Sequence, residues 1–186
     1  MRVARAWLNS ATMSRRTPLS PDMPALAARH SPSPEGTSAL AARIAAVLGA
    51  GDVLLLSGDL GSGKTHFARA LIQARQAEHG ITEDVPSPSF TLVQTYQAGD
   101  LEIWHCDLYR LTGPDEALEL GLEEAFADAL CLIEWPDRLS GHWPDDAVML
   151  HFAPDAKPED SRIITLHSAA PASPLAAKLT RCVESP

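Results

Sequence analysis

The sequence predicts an α/β fold with three layers around a mixed, mainly parallel sheet. Three observations point there. Short apolar runs that read as buried strands alternate with segments whose apolar residues recur at helical spacing. A glycine-rich loop, "GDLGSGKTH" at residues 58–66, joins one such strand to one such helix. Two further strand-like segments meet at a tight turn containing Gly99, which inserts an antiparallel hairpin into the parallel arrangement.

The elements follow in chain order. "GTSALAARIAAVLGAG" predicts a helix capped by Thr37 or Ser38. Leu40, Ile44, Val47 and Leu48 share one face, and Gly49 and Gly51 stop it. "DVLLLSGD" is continuously apolar, the pattern of a strand covered on both faces. A second helix runs from Lys64 to Glu78, with Phe67, Ala70, Leu71 and Ala74 as its apolar stripe. "GITEDVPSPSF" is a Pro/Ser-rich loop. "TLVQTY" and "LEIWHCDLY" are the hairpin strands around "QAGD". "GPDEALELGLEEAFAD" reads as one helix with Pro114 in its first turn. "ALCLIEW" is another buried strand, and "AVMLHFA" and "RIITLHS" are two final strands around the turn-rich "PDAKPEDS". The organisation expected is an N-terminal extension over 1–34, a folded domain over 35–168, and an Ala/Pro-rich tail over 169–186 with room for one short helix.

Composition narrows the function. The 186 residues are 45% hydrophobic and 21% charged, enough for one domain with a real core. No run approaches the length of a membrane span. The sparse, unpaired cysteines fit a reducing cytoplasm, where the protein is expected. The formal net charge is −9, although residues 1–30 carry five arginines against the single acid Asp22. The acidic remainder is a poor ligand for nucleic acid, so a function touching RNA would have a partner hold the RNA. Cys106, Cys131 and Cys182 are scattered, with no CxxC pair, which excludes a disulfide framework or a zinc site as the expected chemistry. The arginine-containing N-terminus lacks the apolar core of a secretory signal. It reads as a disordered extension, a transit peptide, or a start placed too early, with Met13 and Met23 as alternative starts.

Residues 58–65 spell G-x-x-x-x-G-K-T between a strand and a helix, the context that gives this short pattern its force. Glycines 58, 61 and 63 let the backbone curl so that its N–H groups turn inward on phosphate oxygens. The helix N-terminus adds partial positive charge. The loop from Gly58 to Thr65 is therefore the candidate phosphate cradle. Lys64 is placed to reach the β- and γ-phosphates, and Thr65 to give its hydroxyl to Mg2+. The fold is accordingly expected to be P-loop NTPase-like. His66 reads as an ordinary first-turn residue.

Such a loop needs an acid near the metal. Two acids end apolar strands: Glu134 after "ALCLI" and Asp107 after "LEIWHC". A carboxylate there is a costly buried charge unless something positive compensates it. Glu134 is the first candidate to hold Mg2+. Asp107 is the second, acting on a metal-bound water or as general base. Trp135 either stacks on the base, lines the pocket or simply packs. Arg110, Arg138 and Arg162 are candidates to counter phosphate charge. Ser87, Ser89 and Thr91 form either a γ-phosphate-sensing loop or a plain turn. The acidic stretch over 114–128 is a solvated face or a docking surface for a basic partner.

"GDLGSGKT", "SPSFTLVQTY", "DLYRL", "ELGLEEAF" and "CLIEWPDRL" together resemble the bacterial TsaE (YjeE) family over roughly residues 35–168. That resemblance implies a small, Mg2+-dependent ATPase of low intrinsic activity in tRNA threonylcarbamoyladenosine modification. It implies that ATP use supports turnover of a TsaD–TsaB pair, which transfers the group and holds the tRNA. It also implies ATP on Leu60, Gly61, Ser62, Gly63, Lys64 and Thr65, Mg2+ near Thr65 and Glu134, a metal or hydrolytic role for Asp107, and a switch-like loop over 87–91. His66 stands where the family often has a second threonine, and the residues before the first helix match poorly. The alternative is a small-molecule P-loop kinase. Such kinases carry an arginine-rich lid, whereas here no basic residue follows Arg138 until Lys157. A GTPase would need N-K-x-D, which the sequence lacks.

Overall fold

The computed structural model describes residues 23–155 and 160–185. Most of the expected N-terminal extension, with Met13 as an alternative start, and the middle of the turn-rich "PDAKPEDS" lie outside the described residues. The order is β1 (Ala25–Ser31), α1 (Pro34–Ala45), β2 (Val53–Gly58), α2 (Lys64–Ala77), β3 (Val93–Ala98), β4 (Leu101–Asp107), α3 (Pro114–Leu118), α4 (Leu122–Asp128), β5 (Leu130–Glu134), β6 (Val148–Pro154), β7 (Arg162–Ser168) and α5 (Pro174–Glu184).

The seven strands form one sheet in the order β1-β7-β6-β2-β5-β4-β3. β6, β2, β5 and β4 are mutually parallel, while the antiparallel pairs β3/β4, β6/β7 and β1/β7 flank them. This is the predicted mixed sheet with a parallel core, and the expected hairpin turns at Gly99 (φ 63°).

Strand alternation divides the core in two. Leu54 and Leu56 of β2, Leu130 and Leu132 of β5, and Ile103 of β4 join α1, α2 and α5 on one face. Val53, Leu55, Cys106, Cys131 and Ile133 join α4 on the other. Phe67 of α2 meets Phe152 of β6 edge-on at 5.4 Å, a contact worth about 1 kcal/mol beyond its buried area. The same period of two carries His105 and Asp107 onto the face of Ile103, and Glu134 onto the face of Leu132. The register sets Asp107 directly opposite Glu134. Both acids therefore end their strands on the α2 side, beside the loop that leaves β2.

The structure moves several boundaries. Residues 25–31, read as extension, are an edge strand on β7, with Leu26 and Ala27 packed against the first core. An edge strand with one covered face carries only a weak apolar pattern, and pairing supplies the rest. α1 begins a turn earlier than expected. Ser33, not Thr37 or Ser38, caps it, its Oγ accepting from Gly36 N at 3.3 Å, with Pro34 at the first helical position. The single helix expected over 113–128 is two, because Gly121 takes φ 77° and lets Leu122, Ala125 and Phe126 turn into the second core. The tail is no tail through residue 184. Ser173 caps α5, which buries Leu175, Ala176, Leu179 and Val183.

Candidate functional site

β2 ends at Gly58, which has φ 139°. A Cβ there would meet the carbonyl oxygen of Phe152 at 2.4 Å, so neighbouring β6 and the backbone angle both require glycine. The chain then turns on a Ser62 N to Asp59 O hydrogen bond of 3.1 Å. Gly63 (φ 107°) starts α2, and no side chain caps that helix. Its leading N–H groups are thus left for another acceptor. Arg162, from β7, braces the loop by donating from Nε to Ser62 O at 2.9 Å and from Nη2 to Gly61 O at 3.4 Å.

Lys64 folds back over the loop. Its Nζ donates to Gly58 O at 2.7 Å and Asp59 O at 2.9 Å, and lies 4.0 Å from the Trp135 ring centroid. Burial holds this ammonium below the usual lysine range, while Glu134 and Asp107 pull the other way. Thr65 Oγ1 donates to Glu134 Oε2 at 2.8 Å across a sequence separation of 69 residues. The other oxygen of Glu134 meets His105 Nε2 at 2.9 Å. Asp107 accepts from Ser89 Oγ at 2.5 Å and from Tyr109 N at 3.1 Å. Trp135 takes φ 59° at the start of a 3₁₀ turn (Pro136–Leu139), and its ring packs against Tyr109.

These groups surround one cavity of about 260 Å³. Leu60 to Thr65, Asp107, Glu134 and Trp135 all line it, as do Ser89 and His66. His66 Nε2 also lies 2.9 Å from Ser38 Oγ and 3.0 Å from Pro34 O, tying α2 to α1. The three arginines proposed to counter phosphate charge do not line the cavity. Arg110 bonds Phe90 O and sits over the Phe90 ring, Arg138 lies beside Asp137, and Arg162 grips the loop from outside. Ser87 bonds Ser89 rather than the cavity, and Thr91 bonds Pro88 O.

Sequence reasoning missed His105. It is fully buried and touches the acid chosen first. A signal existed, since His105 stands two before Asp107 on a strand, but nothing in the string tied it to Glu134.

The residues fit a nucleotide with Mg2+. The loop offers an uncapped helix start, and Ser62 Oγ is buried without a partner among the described residues. Among the described residues no three His, Cys, Asp or Glu side chains cluster as a metal cage. One hydroxyl and one or two carboxylates suit Mg2+, which keeps waters and phosphate oxygens as its other ligands. No helix among the described residues is long and apolar enough to cross a membrane.

A family model described as "Threonylcarbamoyl adenosine biosynthesis protein TsaE" matches residues 31–164. The tRNA threonylcarbamoyladenosine biosynthesis protein TsaE of Rickettsia bellii is 47% identical over 105 residues, covering 56% of this chain and 71% of that protein. The protein of the same name from Rickettsia conorii is also 47% identical over 105 residues, but the match spans only 58% of its length. The crystal structure of Bacillus subtilis YdiB aligns with a TM-score of 0.65 and 31% identity, covering 83% of this chain and 93% of that one.

Proposed function

The chain belongs to the TsaE family, and on that premise we propose that it is a Mg2+-dependent ATPase serving tRNA threonylcarbamoyladenosine biosynthesis. In this reading it acts on a TsaD–TsaB pair and supports that pair's turnover rather than transferring the group itself. The tRNA is held by the partners, in keeping with the acidic net charge. The working compartment is the cytoplasm.

The observation that carries the reading is the 2.8 Å bond between Thr65 Oγ1 and Glu134 Oε2. The last residue of the glycine motif and the acid ending β5 converge on one point of the cavity wall. Those two residues would hold Mg2+, which when bound offsets charge on the β- and γ-phosphates. The backbone N–H groups of residues 60–65 cradle the phosphates. Lys64 exchanges its two carbonyl partners for phosphate oxygens, and burial strengthens that attraction. Asp107 orients the attacking water, directly as base or through the metal's hydration, and Ser89 aims its carboxylate. Trp135 walls the cavity beside Lys64.

The test is ATP hydrolysis by the purified chain, alone and with a TsaD–TsaB pair, with Lys64→Ala as control. Slow turnover that the pair accelerates and the substitution abolishes is the expected result. Turnover indifferent to the pair would overturn the partner-driven reading and return a small-molecule kinase.

A further inference from the structure

Glu134 is 1% exposed, and its two oxygens are held from different elements. Thr65 Oγ1 of α2 donates to Oε2, and His105 Nε2 of β4 lies 2.9 Å from Oε1. A carboxylate oxygen accepts, so Nε2 is the donor. His105 Nδ1 is buried and has no hydrogen-bond partner among the described residues. The carboxylate is thus the imidazole's polar contact. The bond runs diagonally across the sheet, because His105 sits opposite Leu132, two positions before Glu134. Neighbours of His105 on this face include Ile103, Leu130 and Leu132, where an apolar side chain would bury more cheaply.

We infer that His105 is a positioning residue for the Mg2+ site: its Nε2–H holds one oxygen of Glu134 so that the other stays on Thr65, and hydroxyl and carboxylate are presented to the metal as a fixed pair. The inference rests on the reading of Thr65 and Glu134 as the Mg2+-holding residues. Without the imidazole, Oε1 is a buried acceptor with no donor, and the carboxylate rotates toward whatever donor it can find. Metal ligands whose outer hydrogen bonds are removed lose about 10- to 100-fold in metal affinity.

The experiment measures the affinity of a fluorescent ADP analogue with and without Mg2+, and takes the ratio. In His105→Leu the ratio falls about tenfold or more, while the metal-free affinity stays at the wild-type value because the glycine loop is untouched. His105→Gln places an amide nitrogen near the position of Nε2 and restores most of the ratio. His105→Asn, equally polar but one carbon shorter, does not. Melting curves without nucleotide establish which variants fold, and the Gln/Asn pair decides the matter if His105→Leu does not. A wild-type ratio in His105→Leu, or equal behaviour of Asn and Gln, overturns the inference. Glu134→Gln separates the two levels. If it too keeps the wild-type ratio, the metal reading itself fails. If it loses the ratio while His105→Leu keeps it, only the role of His105 fails.

Discussion

Asp107 and Glu134 end neighbouring strands directly opposite each other, yet they are held by different kinds of structure. The partners of Glu134 come from β4 and α2, regular elements anchored by buried residues such as Phe67, Leu71 and Ile103. The partners of Asp107 come from irregular chain. Ser89 lies in the segment 81–92, where Val85 and Pro88 are the buried residues and Phe90 is 88% exposed. Tyr109 N belongs to the turn after β4. The loop is tethered to the strand where Asp107 N donates to Leu92 O at 2.9 Å, and Leu92 takes the left-handed φ of 66°. An acid held by regular elements keeps its geometry as long as the core does. An acid held by a loop with few buried anchors responds to whatever touches that loop, because such segments open at low free-energy cost. The two carboxylates thus differ in what holds them, regular elements for Glu134 and irregular chain for Asp107.

That contrast can be broken by mutation. Glu134→Gln has the largest expected effect, lowering kcat for ATP hydrolysis by about a thousandfold, since on the proposed reading it removes a preorganised charge from the metal site. Asp107→Asn follows, at about a hundredfold. Steady-state assays at saturating Mg2+ check both, and an inverted order would show that the loop-held acid is the dominant one. Ser89→Ala is smaller, about tenfold in kcat. Combining it with Asp107→Asn adds little to Asp107→Asn alone, because the two groups act as one unit. Full additivity in a double-mutant cycle would detach the loop from Asp107.

The strands beneath the acids are expected to be equally rigid, and each carries a reporter. Cys106 lies on β4 and Cys131 on β5, both fully buried on the opposite face. Burial pushes the Cys106 thiol well up and the Cys131 thiol up to about 12. An unfolded chain ionises its thiols from about pH 8.5. A raised value in the fold means that stability is complete below that point and is lost as pH climbs toward the folded value. Each thiol should therefore remove about 1.4 kcal/mol per pH unit from about pH 9 upward. Urea midpoints at pH 8 and pH 10 measure the loss. Iodoacetamide should reach the partly buried Cys182 first and the two strand thiols at similarly slow rates. Unequal protection of Cys106 and Cys131 would mean that the difference between the acids begins in the strands.

Much of this was legible in the string, for identifiable reasons. The phosphate loop occupies eight contiguous residues between a strand and a helix, so local geometry alone brings Gly58 to Thr65 together. β2 and β5 read clearly because both their faces are covered, leaving near-continuous apolar runs. β1 did not read as a strand, since it is an edge with one covered face and owes its form to β7. Arg162 reads in the sequence as a counter-charge, and the fold sets its guanidinium against carbonyls of the glycine loop. Its role depends on where β7 lies against residues 61 and 62, about a hundred positions earlier.

The sequence by itself determined the ligand-shaped loop, the apolar alternation that builds a two-sided core, and the placement of an acid at each of two strand ends. These are properties of contiguous residues and their period. Tertiary structure alone decided that Asp107 stands opposite Glu134, that Thr65 reaches the latter, and that His105 lies beneath it. The first and last follow from the parallel register of β4 and β5, which places residues about thirty apart within one hydrogen bond of each other. The second follows from the pairing of β2 with β5, which sets Glu134 beside the strand that leads into α2. A strand's own sequence specifies which face a side chain takes, but not which neighbour waits there.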